Sequence, residues 1–137
     1  MKTVTDSQGR EWELRMTLLH WERLVANGLI SNQLETQSTD FQKLVSDPVH
    51  LARVTYCIVK EKANEYGYKS EAEFLTHLPL EDVGLLGEAA IEELHDFFAS
   101  LRMNLQAFIL RTIRDELATR LKQLEEQLQG LRGNVPV

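Results

Sequence analysis

Four histidines and one cysteine are the residues of this chain best suited to metal binding or nucleophilic chemistry. His20, His50, His77 and His95 stand far apart, and none falls in an HExxH or other ligand spacing. Each lies on a segment with helical patterning beside charged neighbours, where a surface or half-buried imidazole is expected. Cys57, in "VTYCIVK", sits mid-helix among apolar residues, the setting of a packed, inert thiol. A nucleophilic cysteine needs electropositive surroundings, which this segment does not announce. As the only cysteine, it can form neither an intrachain disulfide nor a zinc cluster of thiolates. The carboxylates of "EKANE" and "EDVGLLGEAAIEELHD" are close enough for acid–base work. They fall, however, in first helical turns and on outer faces, where they suit the helix dipole and solubility. Gly84 and Gly87 form no phosphate loop, since no strand precedes them and no Gly-Lys-Ser/Thr follows. The expectation is a non-enzyme with no catalytic residue, cofactor or metal.

The elements that would carry these residues are mostly helical. "VTDSQGREWEL" opens with a hairpin signal: Asp6-Ser7-Gln8-Gly9 forms the turn, and Trp12 and Leu14 share one face that must rest on helices. Thr17 caps a helix through Asn27-Gly28, with Leu18, Trp21 and Val25 or Leu24 inward. Residues 29–39 have weak periodicity and read as a loop, followed by a short turn capped by Asp40. Asp47 at the N-cap and Pro48 at N1 start a helix to Tyr66 that stops at Gly67 and buries Leu51, Val54, Ile58 and Tyr56. Ser70-Glu71-Ala72-Glu73 is a capping box for a short helix through Leu78, burying Phe74 and Leu75 and ended by Pro79. A loose turn over Glu81–Leu86 follows, and then one helix from Glu88 to Gln129, roughly 60 Å long. The tail "GLRGNVPV" is expected to fray.

That last helix carries a seam: Ile91, Leu94, Phe98, Leu101, Leu105, Ile109, Ile113, Leu117, Leu121, Leu124, Leu128 and Leu131. The mean step is about 3.6 residues, the period of a straight helix rather than of a left-handed supercoil. Through Ile109 the apolar face is broad, as on a helix docked to a globular body. From Leu110 it narrows to one leucine-type residue per turn between charged flanks, the pattern of a helix that pairs with another helix. The second half either folds back to complete the core or projects; no glycine or proline between Glu88 and Gln129 offers a hinge, which favours projection. The organisation expected is one domain: residues 1–110 an acidic helical body with the N-terminal hairpin, residues 111–137 a helical extension.

Composition narrows the partners. The chain has 137 residues, 43% hydrophobic and 26% charged, in the range of soluble globular proteins. Net charge is −6, and residues 1–110 hold 10 Lys and Arg against 17 Asp and Glu. An acidic body is a poor match for a phosphate backbone, so nucleic acid is not an expected partner. No apolar run is long enough to span a membrane, and "MKTVTDSQGR" lacks the apolar core of a signal peptide. A soluble protein that works inside a cell is expected.

Three stretches resemble the tail assembly chaperone-like proteins, small helical proteins encoded in the tail-gene regions of phages and prophages. They are "DSQGREWELRMT" (Asp6, Gly9, Arg10, Trp12, Leu14, Thr17), "LVSDPVHLARVTYCIV" (Leu44, Asp47, Pro48, Leu51, Val54, Tyr56) and "EYGYKSEAEFL" (Gly67, Ser70, Phe74). The resemblance covers about the first 100 residues. It implies a non-enzymatic partner of tail assembly that holds the hydrophobic tape-measure protein soluble in the host cytoplasm, with the virion as the other place to look. The extension after Leu110 departs from the family by its length and its leucine seam.

The expected function is therefore an assembly chaperone or adaptor that binds a helical client such as the tape-measure protein. Its expected partner-binding residues are Ile113, Leu117, Leu121, Leu124 and Leu128. The alternative is a structural virion or scaffold component that forms a homo-oligomer through the same helix. A third class is a small regulatory binder of a host protein.

Overall fold

The computed structural model describes residues 1–133: a two-stranded hairpin followed by six helices, so the mainly α class with an N-terminal hairpin and a long C-terminal helix is what the chain adopts. Strands β1 (Lys2–Thr5) and β2 (Glu11–Leu14) pair antiparallel, with Val4 opposite Trp12. Asp6 organises the turn between them. Its buried carboxylate accepts from the backbone N–H groups of Gln8 and Arg10, from Arg10 Nε and from Trp12 Nε1, each at 2.8–2.9 Å. Gly9 takes a φ of 79° to close the turn. Ser7 at the tip donates its N–H and its hydroxyl to the buried Asp82 carboxylate, which pins the hairpin to the helices. Trp12 and Leu14 are fully buried, and Trp12 meets the rings of Tyr66, Tyr68 and Phe74.

Helix α1 (Leu18–Ala26) has Thr17 as its cap, with His20 reciprocating, and ends at Asn27-Gly28 as expected. Leu24 is buried and Trp21 packs on Phe97 and Phe98 as expected, while Leu18, expected inward, is exposed. Helix α2 (Leu34–Ser46) replaces the expected loop and short turn. Its inner face is partly polar, which hides the period: Gln37 and Asp40 are buried beside Phe41 and Leu44. Both polar groups hold the incoming chain, Asp40 accepting from Ser31 N–H and Gln37 donating to the Ser31 carbonyl.

Helix α3 (Pro48–Glu65) matches its expected cap, face and stop, with Asp47 accepting from Val49 and His50 and Gly67 at φ 96°. Helix α4 (Glu71–His77) is capped by Ser70. Glu73 bonds the N–H of Lys69 rather than that of the cap residue; Phe74 is buried and Leu75 half-buried.

The largest correction concerns the last third. Helix α5 (Leu80–Ser100) begins directly after Pro79, and α6 (Asn104–Gly133) is a separate helix that turns back on it. Gly84 and Gly87, expected to loosen a turn, lie inside α5 where other helices approach closely. A Cβ on Gly87 would stand 2.6 Å from Leu51 Cδ2, and one on Gly84 would stand 3.7 Å from Leu121. The break at Leu101–Met103 needs no glycine, because Arg102 itself adopts φ 59°. Its N–H bonds the Ala99 carbonyl and that of Met103 bonds Phe98, which is the Schellman pattern of helix termination. Asn104 then starts α6, which packs along α5 and α2 and buries Ala107, Leu110, Ile113 and Leu117. The helix persists through the first four residues of the tail expected to fray, and Asn134–Val137 lie outside the described residues.

Candidate partner-binding helix

The α5–α6 pairing decides which part of the leucine seam is free. Gly84 beside Leu121, and the 2.9 Å bond from Arg114 to Glu92, fix the two helices antiparallel. In that pairing the start of α5 comes level with Leu124. Helix α2 ends at Ser46, in a cleft it shares with Glu116 and Arg120. Helix α2 therefore stops near Arg120 and α5 near Leu124, while α6 runs on to Gly133, about 14 Å past the second of them. Every residue from Thr119 to Gly130 is exposed.

The seam is thus split between two roles. Ile113 and Leu117, expected to bind a partner, are 5% and 6% exposed and belong to the chain's own core. They are covered because α6 folds back at Arg102, a hinge without the glycine or proline that usually signals one. Leu121 is 37% exposed, and Leu124 and Leu128 are each 56% exposed on the overhang. The boundary between body and extension accordingly falls near Arg120, not Leu110. Sequence patterning did not single out Leu80, which is 88% exposed at the start of α5 beside the overhang. A second apolar surface, Leu101, Met103, Leu105 and Phe108, lies at the opposite end of α6.

The groups with chemical potential occupy structural positions. His20 belongs to the α1 cap, and burial lowers its pKa, as it does that of His50. His95 contacts Asp96 at 3.0 Å. Burial alone would raise the Asp96 carboxyl, but His95 and Lys2 hold it below its ordinary range. It stays ionised, the opposite of what a proton donor at neutral pH requires. Cys57 is buried, which pushes its thiol above the ordinary range and away from thiolate chemistry. Among the described residues no group of three or more His, Cys, Asp or Glu side chains is arranged to hold a metal ion.

The stretches that carry the family resemblance are likewise structural. Arg10 bonds Asp6 and the Tyr68 hydroxyl, and its guanidinium lies 5.1–5.6 Å from the ring centroids of Trp12, Tyr66 and Tyr68. That arrangement locks the hairpin onto the end of α3. No protein-family model matches the chain, and neither does any curated protein or solved structure. Among the described residues no helix is long and apolar enough to cross a membrane.

Proposed function

We propose that the protein is a non-enzymatic assembly chaperone or adaptor, and that the overhang of α6 captures an amphipathic helix of its client. The observation that carries this reading is the exposure of Leu124 and Leu128 where α6 outruns α2 and α5, with Leu121 partly exposed at the edge of α5. A helix laid on such a seam gives helix-in-groove recognition, with Arg120 and Glu125 flanking it. The resemblance to tail assembly chaperone-like proteins supplies the client class, a tape-measure-type protein held in the host cytoplasm before the tail tube forms. The net charge of −6 would keep the complex soluble.

Magnitude supports transient capture. The three leucines are about half exposed, so covering them is worth about 2–4 kcal/mol. That is well short of micromolar affinity at a single site. A long helical client that repeats its seam would engage many copies of this chain, and multivalency would supply the remainder.

The second reading, a structural or scaffold homo-oligomer, draws on one specific observation. Leu121, Leu124 and Leu128 follow at steps of three and four, the local spacing of a coiled coil. Co-expression with the tape-measure protein of the same genome separates the readings. The chaperone keeps that protein soluble, and the Leu124→Lys/Leu128→Lys variant does not. An oligomer in light scattering, with no effect on the tape-measure protein, favours the scaffold.

A further inference from the structure

A cavity of about 400 Å³ opens between α1, α3 and α4, away from the overhang, lined in part by Arg23, Tyr56, Cys57, Lys60, Lys69 and Ser70. Its volume lies in the range of small-molecule sites. Its walls differ from the rest of this acidic chain. Among the lining residues three cationic side chains face one carboxylate, Glu71, which Arg53 already pairs at 3.2 Å, while Glu61 and Glu73 stand close enough behind the wall to act on Tyr56. Arg23 bonds Glu61 through Nη1 alone, which leaves its other N–H groups free of side-chain partners. Among the described residues, Lys60 and Lys69 form no ion pair.

The floor is apolar and carries one polar group without a partner. Tyr56 is 7% exposed, and among the described residues its hydroxyl bonds no protein group, although the residue lines the cavity. Leu29 and Cys57, both buried, complete the floor. Ser70 accepts from Glu73 N–H at the α4 cap, so its own hydroxyl proton is available to the cavity.

We infer that this cavity binds a small phosphate monoester, with the phosphate held by Lys60, Lys69, Arg23 and the Tyr56 hydroxyl and a compact apolar body laid on Leu29 and Cys57. A dianion matches a wall in which cations outnumber carboxylates, and ammonium and guanidinium donors are the usual phosphate ligands. The apolar floor demands more than inorganic phosphate. The inference is independent of the client-binding reading, because the cavity lies on different helices from the seam.

The test is titration of the full chain with phenyl phosphate, inorganic phosphate, benzoate and benzylamine at fixed ionic strength. Calorimetry and the NMR shifts of the Tyr56 ring are the readouts. The expected result is saturable binding of phenyl phosphate, tightest of the four, with shifts at Tyr56 on the cavity floor. Lys60→Gln/Lys69→Gln should weaken binding about tenfold, the scale of losing charge-assisted hydrogen bonds at a partly exposed site. Tyr56→Phe, which keeps the ring, should weaken it several-fold. Binding of phenyl phosphate no tighter than of benzylamine, or undiminished in the lysine variant, would overturn the inference. So would saturation without a shift at Tyr56.

Discussion

Leu121 of α6 lies against Gly84 of α5, 3.7 Å from where that glycine's Cβ would stand, and past this contact the leucine seam is more than half exposed. Substitutions on its two sides should therefore behave differently. Leu117→Ala removes a core side chain and should cost about 2–5 kcal/mol in urea unfolding. Leu128→Ala should change stability by less than about 0.5 kcal/mol. Equal losses at the two positions would mean that the overhang is packed in solution.

The neighbouring glycine makes a sharper comparison. Gly87→Ala would place a methyl group 2.6 Å from Leu51 Cδ2 and 2.8 Å from its Cγ inside the core. Overpacking of about 1–3 kcal/mol should outweigh the gain in helix propensity, so the variant melts lower. Gly84→Ala meets Leu121 at ordinary contact distance and should be neutral or stabilising by up to about 1 kcal/mol.

At the α5–α6 turn, Arg102 holds φ 59°, a conformation that costs a residue with a Cβ about 1–2 kcal/mol. Arg102→Gly should raise stability by about 1 kcal/mol, measured by thermal or urea unfolding, without altering the helical circular dichroism. Destabilisation would indicate that the helices do not turn back at this residue.

The Asp6 carboxylate predicts an acid limb. Burial alone would raise its pKa, but the hydrogen bonds from Trp12, Arg10 and Gln8 outweigh burial and bring it from 3.8 down to about 2. A folded pKa below the unfolded value means stability that is present above about pH 4 and lost as pH falls toward 2. The contribution is about 2 kcal/mol. Asp6→Asn should unfold at lower urea at pH 7, and its stability should fall less between pH 4 and pH 2 than that of the parent.

Much of this fold is legible in the residues themselves, because capping chemistry is local. Thr17, Asp47-Pro48 and Ser70 announce their helices, and Gly28 and Gly67 end theirs through positive φ. The illegible parts share one cause: a residue filling a role usually given to another type. Arg102 occupies a position where glycine is usual, so two antiparallel helices read as one. Gln37 and Asp40 stand on a buried face, so α2 reads as a loop. Gly84 and Gly87 serve close helix packing rather than a turn. Within the candidate partner-binding seam, Leu121, Leu124 and Leu128 are legible as an apolar stripe. That Ile113 and Leu117 are core depends on where α5 and α2 end, which no periodicity in α6 can report.

The most direct test of the account is titration of the isotopically labelled chain with a synthetic amphipathic helix of about three heptads bearing leucine on its seam, followed by backbone amide shifts. Saturable changes should map to residues 119–130 and to the start of α5 around Leu80. They should vanish in Leu124→Lys/Leu128→Lys while the melting temperature stays unchanged. Changes centred instead on Leu101–Phe108, or binding undiminished in the double variant, would contradict the claim that the overhang of α6 captures the client.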